Sequence, residues 1–140
     1  MPVRAYSARV NEGAIVETIR AAVPGARAIY VFGSHARGDA GPESDLDLAV
    51  LGPTRLDPIV RWELQEHLAG LAHRPVDLVD LRAASAVMRV SVLADARVLF
   101  DGIPYERELF EATALSDYAR LQDERRAILE QIEREGRVYG

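Results

Sequence analysis

The chain of 140 residues contains no cysteine. Disulfides, thiol nucleophiles, cysteine-type zinc sites and iron–sulfur clusters are therefore excluded. It contains no lysine either: all 17 basic residues are arginine. A Walker-type phosphate loop, a Schiff base and a covalent lysyl–nucleotide intermediate each need that amine, so none operates here. Basic charge is outweighed by 22 aspartates and glutamates, for a net charge of -5. A nucleic-acid scaffold normally presents a net basic face, so direct nucleic-acid binding is not expected. No apolar run approaches the ~20 residues of a membrane span. Met1-Pro2-Val3-Arg4 lacks the apolar stretch of a secretory signal, and a cytoplasmic protein is expected.

What is present is an ordinary globular composition, 49% hydrophobic and 28% charged. The length fits one domain that buries about two-thirds of its unfolded surface. Asn11 to Val23 reads as a helix, with Asn11 as N-cap and Ile15, Ile19 and Val23 recurring at fours. Pro24-Gly25 stops it. Ala28 to Phe32 is a short apolar run, hence a buried strand. Residues 35–44 form a loop with at most one helical turn. Leu46, Leu48 and Val50 alternate with Asp45, Asp47 and Ala49, which predicts a second strand closed by Gly52-Pro53.

Leu56 to Leu71 reads as a helix with Ile59, Leu64, Leu68 and Leu71 on one side. Val76 to Leu81 is a third strand, Ala83 to Ala94 a helix, and Arg97 to Phe100 a fourth strand. Pro104 to Glu135 is one long helical pattern with Gly136 as its C-cap. Straight, it would run about 48 Å. A compact domain of this size is only ~30 Å across, so the helix must bend, break or project. Leu109, Phe110, Ala114, Leu115 and Tyr118 are expected to dock it. Leu121, Ile128, Leu129 and Ile132 then form an apolar stripe for a partner or a second copy. The class is α+β: a small mixed β-sheet flanked by helices, residues 1–103 as the domain and 104–140 as its helical extension.

The informative segment is Gly33-Ser34, ten residues, then Asp45-Leu46-Asp47. Two aspartates two apart on a strand share a face, while Leu46 and Leu48 face the core. Like charges side by side repel, unless something cationic lies between them. Hard divalent metals take such oxygen ligands, and Mg²⁺ typically combines one or two carboxylates with substrate phosphates. Gly33 and Ser34 end a buried strand, where exposed N–H groups and the Ser34 hydroxyl suit a phosphate. Arg37 is close enough in sequence to neutralise phosphate charge. Val76-Asp77-Leu78-Val79-Asp80 offers a third carboxylate. Asp77 beside Asp45 and Asp47 would allow two metals to be held, and could accept a proton from the acceptor. Asp80 falls on the opposite face of a regular strand and is the second choice.

Gly33-Ser34-His35-Ala36-Arg37-Gly38 through Ser44-Asp45-Leu46-Asp47-Leu48 resembles the signature of the DNA polymerase β-type nucleotidyltransferases. The short length and the later Val-Asp-Leu-Val-Asp-Leu resemble its minimal branch, the MntA-type antitoxins that pair with HEPN-domain ribonuclease toxins. The resemblance covers about residues 25 to 101. It implies a nucleotidyltransferase fold, Asp45 and Asp47 as metal ligands, Asp77 as third carboxylate, and Gly33 and Ser34 at the triphosphate. It also implies Mg²⁺, ATP, and transfer of AMP to a tyrosine of the partner toxin. Two other readings are open: an antitoxin that works by occlusion alone, and a small-molecule adenylyltransferase. His35, His67, His73, Trp62 and the tyrosines are read as structural, surface or partner-contact residues rather than catalytic ones.

Overall fold

The computed structural model describes residues 10–41 and 43–139, with side chains as far as residue 136. Helix α1 (Glu12–Ala22) begins where the Asn11 side chain accepts a hydrogen bond from the Ala14 N–H at 3.0 Å. Gly25, at φ +78, turns the chain into β1 (Ala28–Phe32), which has the bounds expected from its apolar run. A single short helix, α2 (Gly33–Arg37), follows at once and takes in Gly33 and Ser34. Strand β2 (Leu46–Leu51) starts one residue after Asp45, which therefore stands at the entrance to the strand.

Helix α3 (Pro58–Ala72) starts at an Asp57 cap with proline in its first turn. Strand β3 (Val76–Asp80) comes next. Helix α4 (Ala86–Asp95) opens three residues later than the sequence pattern predicts. The Asp80 carbonyl accepts from the N–H groups of Ala83 and Ala84. Residues 81–84 thereby form a turn, and Ser85 becomes the cap. Strand β4 (Arg97–Asp101) and helix α5 (Pro104–Tyr139) complete the chain.

The four strands form one mixed sheet in the order β3-β2-β1-β4. β1 runs antiparallel to both β2 and β4, and β2 runs parallel to β3. Helices cover both faces. Ile15 and Ile19 of α1, its C-cap Val23, and Leu64 and Leu68 of α3 pack on Ile29, Val31, Leu46, Leu48, Val50, Val76 and Leu78. Val92 of α4 and Phe110 of α5 pack on Ala28, Tyr30, Ala49, Leu51 and Leu81. Two outer positions expected on the core side of α3, Ile59 and Leu71, are exposed instead. The sheet is narrow, so only the Leu64–Leu68 turn of the helix sits over it.

α5 departs from expectation at both ends. Phe110 and Ala114 dock on the sheet layer, but Leu109 and Leu115 point to solvent. The docked part is held by polar contacts as much as by apolar ones. Glu111 accepts from the Tyr30 hydroxyl at 2.9 Å, and Arg107 pairs with Asp101 at 3.0 Å. Gly136 does not cap the helix, which runs on to Tyr139. A mid-helix glycine costs only about 1 kcal/mol, and Glu133, Arg134, Glu135 and Arg137 around it are good helix formers. Thirty-six helical residues span about 54 Å. The helix neither breaks nor folds back: residues 123–136 are all exposed. No helix among the described residues is long and apolar enough to cross a membrane.

Candidate active site

Register brings the sequence motif together. Phe32 stands opposite Asp47, and Asp47 stands opposite Asp77. These three residues form a row across β1, β2 and β3 on one face of the sheet, at strand spacings of about 5 Å. Asp45 lies at the mouth of β2 beside the row, and Gly33 continues β1 past its end. The aspartates thus gather where β1 ends and both β2 and β3 begin. Asp45 and Asp77 are exposed, and Asp47 is half-buried between them.

Burial pushes the Asp47 carboxyl above its usual range, and the charges of Asp77 and Asp45 push it further in the same direction. His35 and Arg37 pull it partway back. The like charges of Asp77 and Asp45 thus add to the cost of burying the Asp47 carboxylate. Among the described residues no three carboxylates or imidazoles converge closely enough to enclose an ion. Asp45, Asp47 and Asp77 stand near one another rather than in a closed cage. The donor set still fits a hard divalent cation. All three groups are oxygen ligands, and a cation would relieve the repulsion felt at Asp47.

Gly33 is forced by its neighbour. Its φ is +69, a conformation that L side chains rarely adopt, and a Cβ there would collide with Oδ2 of Asp47. The backbone of α2 thus passes directly over the central carboxylate. No side chain caps the first turn of α2. The leading N–H groups of that turn remain open to an anion.

Arg37 is differently placed from the sequence expectation. Its guanidinium pairs with Asp39 at 3.3 Å and with Asp95, at the end of α4, at 3.2 Å. In this structure Arg37 ties α2 to α4. Asp39 lies in the same loop, but Asp95 is 58 residues away and no sequence signal connects it to the motif.

Asp80 is clearly separated from the site. It lies on the other face of β3 and is only 5% exposed. Its carboxylate accepts from the Leu56 N–H at 2.8 Å and the Arg82 N–H at 3.1 Å, joining two loops. His35 serves a bracing role. Its Nε2 lies 3.3 Å from both the Ser44 carbonyl and Arg74 Nη1, between α2 and the approach to Asp45. His73 closes α3 in a left-handed conformation, and Trp62 is exposed.

Residues 15–102 match the family described as "Polymerase beta, Nucleotidyltransferase". Protein adenylyltransferase MntA of Shewanella oneidensis is 40% identical over 124 residues, which cover 89% of this chain and 88% of that protein. A chain from a crystal structure of a toxin–antitoxin with AMP-PNP superposes with a TM-score of 0.80 at 41% identity, covering 88% of this chain and 98% of that one. A chain from a tri-AMPylated S. oneidensis HEPN toxin in complex with MNT antitoxin gives 0.74 at 39% identity, covering 87% of this chain and 95% of its own.

Proposed function

Because this chain belongs to the polymerase β nucleotidyltransferase family, we propose that it is a protein adenylyltransferase and an antitoxin. It transfers AMP from ATP to a tyrosine hydroxyl of a HEPN-type ribonuclease toxin. The observation that carries this reading is the Asp47–Asp77 row lying under the Gly33 turn, in a chain so similar to MntA over nearly its whole length.

Asp45, Asp47 and Asp77 would hold Mg²⁺, two ions in the full site, which would supply charge neutralisation on the phosphates and Lewis-acid activation of the acceptor. The chain's own groups do the rest. Gly33 lets the backbone approach the triphosphate closely, and the N–H groups of α2 with the Ser34 hydroxyl orient it. Arg37 reaches the phosphates by leaving Asp39 and Asp95, both exposed surface partners that hold it weakly. The acceptor oxygen attacks the α-phosphorus, the bond to the bridging oxygen of the β-phosphate breaks, and pyrophosphate leaves. Asp77, exposed at the outer strand, takes the proton of the attacking hydroxyl. Most of the rate comes from alignment and charge stabilisation. Residues 1–103 carry the chemistry. Residues 104–140 carry partner contacts, through the exposed stripe of Leu121, Ile128, Leu129 and Ile132.

The test is incubation of the purified complex with α-labelled ATP and Mg²⁺, followed by mass spectrometry of the toxin. Label on a toxin tyrosine with wild type, and none with Asp47→Asn, is the expected result. Full labelling by Asp47→Asn would overturn the site. An unlabelled toxin that both proteins still inhibit would establish occlusion instead. Label confined to small molecules would establish the small-molecule reading.

A further inference from the structure

The strand that carries Asp77 is clipped from outside by two side chains of α3, and we propose that Arg61 and Gln65 are positioning residues for the Asp77 carboxylate. This rests on the reading of Asp77 as the third carboxylate. Among the described residues β3 is an outer strand, paired on one side only, with β2. Successive residues of a strand turn their backbone polar groups to opposite edges. Pro75 and Leu81 bond toward β2, through Leu46 and Val50. Leu78 therefore turns its N–H and C=O outward, where an edge has no backbone partner.

Both groups are nevertheless satisfied. The Leu78 N–H donates to Gln65 Oε1 at 2.9 Å, and the Leu78 carbonyl accepts from Arg61 Nη1 at 3.1 Å. The same Arg61 nitrogen donates to Gln65 Oε1 at 3.2 Å. The two side chains are one helical turn apart, so both reach one residue and lock each other. Together they supply the rung that a fifth strand would have made.

The clip closes on the neighbour of Asp77, from the opposite side of the sheet. Leu78 is 1% exposed and points into the α1–α3 core, while Asp77 points to the other face. Holding the Leu78 backbone against α3 fixes the Cα of Asp77 without touching its carboxylate. An edge strand otherwise presents unpaired N–H and C=O groups on its outer side. The clip's effect is therefore geometric. It acts on the step that uses Asp77 and leaves ATP capture at Gly33 and Ser34 alone.

The test uses the full-length protein with its toxin partner and α-labelled ATP. Gln65→Leu removes the acceptor at similar size. It should lower kcat about tenfold, the usual scale for losing a supporting contact, with KM for ATP within about twofold. Gln65→Glu keeps the Oε1 acceptor for both donors and should restore kcat. Arg61→Met, which leaves Gln65 in place, should lower kcat by a smaller factor. Hydrogen exchange of the Leu78 amide, measured without nucleotide, should speed up in Gln65→Leu and not in Gln65→Glu. Unchanged kcat in Gln65→Leu with a fast-exchanging Leu78 amide would overturn the positioning role. So would unchanged exchange, or a Gln65→Glu variant as slow as Gln65→Leu. Full transfer by Asp77→Asn would instead remove the reading beneath it.

Discussion

Gly33 and Gly38 offer a controlled comparison, because both adopt the left-handed conformation and only one is crowded. Gly33 sits at φ +69 and Gly38 at φ +80, at opposite ends of α2. A Cβ on Gly38 would meet nothing within 4 Å, whereas one on Gly33 would strike the Asp47 carboxylate. Alanine at either position costs about 1–2 kcal/mol for the backbone conformation alone. For a chain of this size that lowers the melting temperature by roughly 4–8 °C. The collision adds little to this loss. The Asp47 carboxylate is the free end of a short side chain and can rotate away. Its rotation matters to the chemistry, however. Restoring ordinary contact moves the carboxylate by about 1 Å, and a misplacement of that size costs on the order of 10²-fold in rate. Gly33→Ala and Gly38→Ala should thus melt at similar temperatures, while only Gly33→Ala loses about two orders of magnitude in AMP transfer. Calorimetry and a labelled-ATP assay on the two variants provide the check. Equal loss of transfer in both would show that strain in α2, and not the Asp47 contact, makes glycine necessary. Full transfer by Gly33→Ala would refute the close approach altogether.

Asp80→Ala should destabilise the fold by about 3 kcal/mol, since two backbone donors lose a charged acceptor, yet leave transfer per folded molecule unchanged; thermal melts alongside activity decide this. Tyr30 gives a pH signature. Burial, then its hydrogen bond to Glu111, raise its phenol well above the ordinary 10.0. A raised folded pKa means the fold prefers the neutral phenol. That stability is complete below about pH 10 and is lost as pH rises further. Denaturant titrations at rising alkaline pH should show a steeper decline for wild type than for Tyr30→Phe, and matching declines would refute the assignment. Truncation after Gln122 removes only residues whose described side chains are exposed. The melting temperature should stay within about 2 °C, the scale of surface changes, while association with the toxin in pull-down is lost. Retained association would place the partner surface elsewhere.

Much of this protein was legible before folding. The bounds of β1 follow from its apolar run, the alternation around Asp47 announces β2, and Asn11 marks the start of α1. Such signals are local: a cap, a periodicity or a turn residue acts over a few positions, so the chain states them directly. The expected helix boundaries failed where local signals competed. Gly136 has the composition of a cap, but its neighbours favour continued helix. Ala83 belongs to a helical pattern, but Asp80 captures its N–H first.

The Gly-Ser and Asp-x-Asp pattern pointed to a phosphate and metal chemistry because those residue types leave few other uses for that spacing. Which aspartate joins the pair depended on strand pairing. Once β3 lies parallel to β2 in register, Asp77 falls beside Asp47 and Asp80 is turned into the opposite layer. Nothing within five residues of either one states which strand β3 will join. The ties from Arg37 to Asp95, from Tyr30 to Glu111 and from Gln65 to Leu78 have the same character. Each side chain is polar and unremarkable in sequence, and its partner is chosen only when the sheet order brings distant segments into contact. Residue types and short spacings pointed to a candidate chemistry; the register of three strands and the helices laid across them brought those residues together.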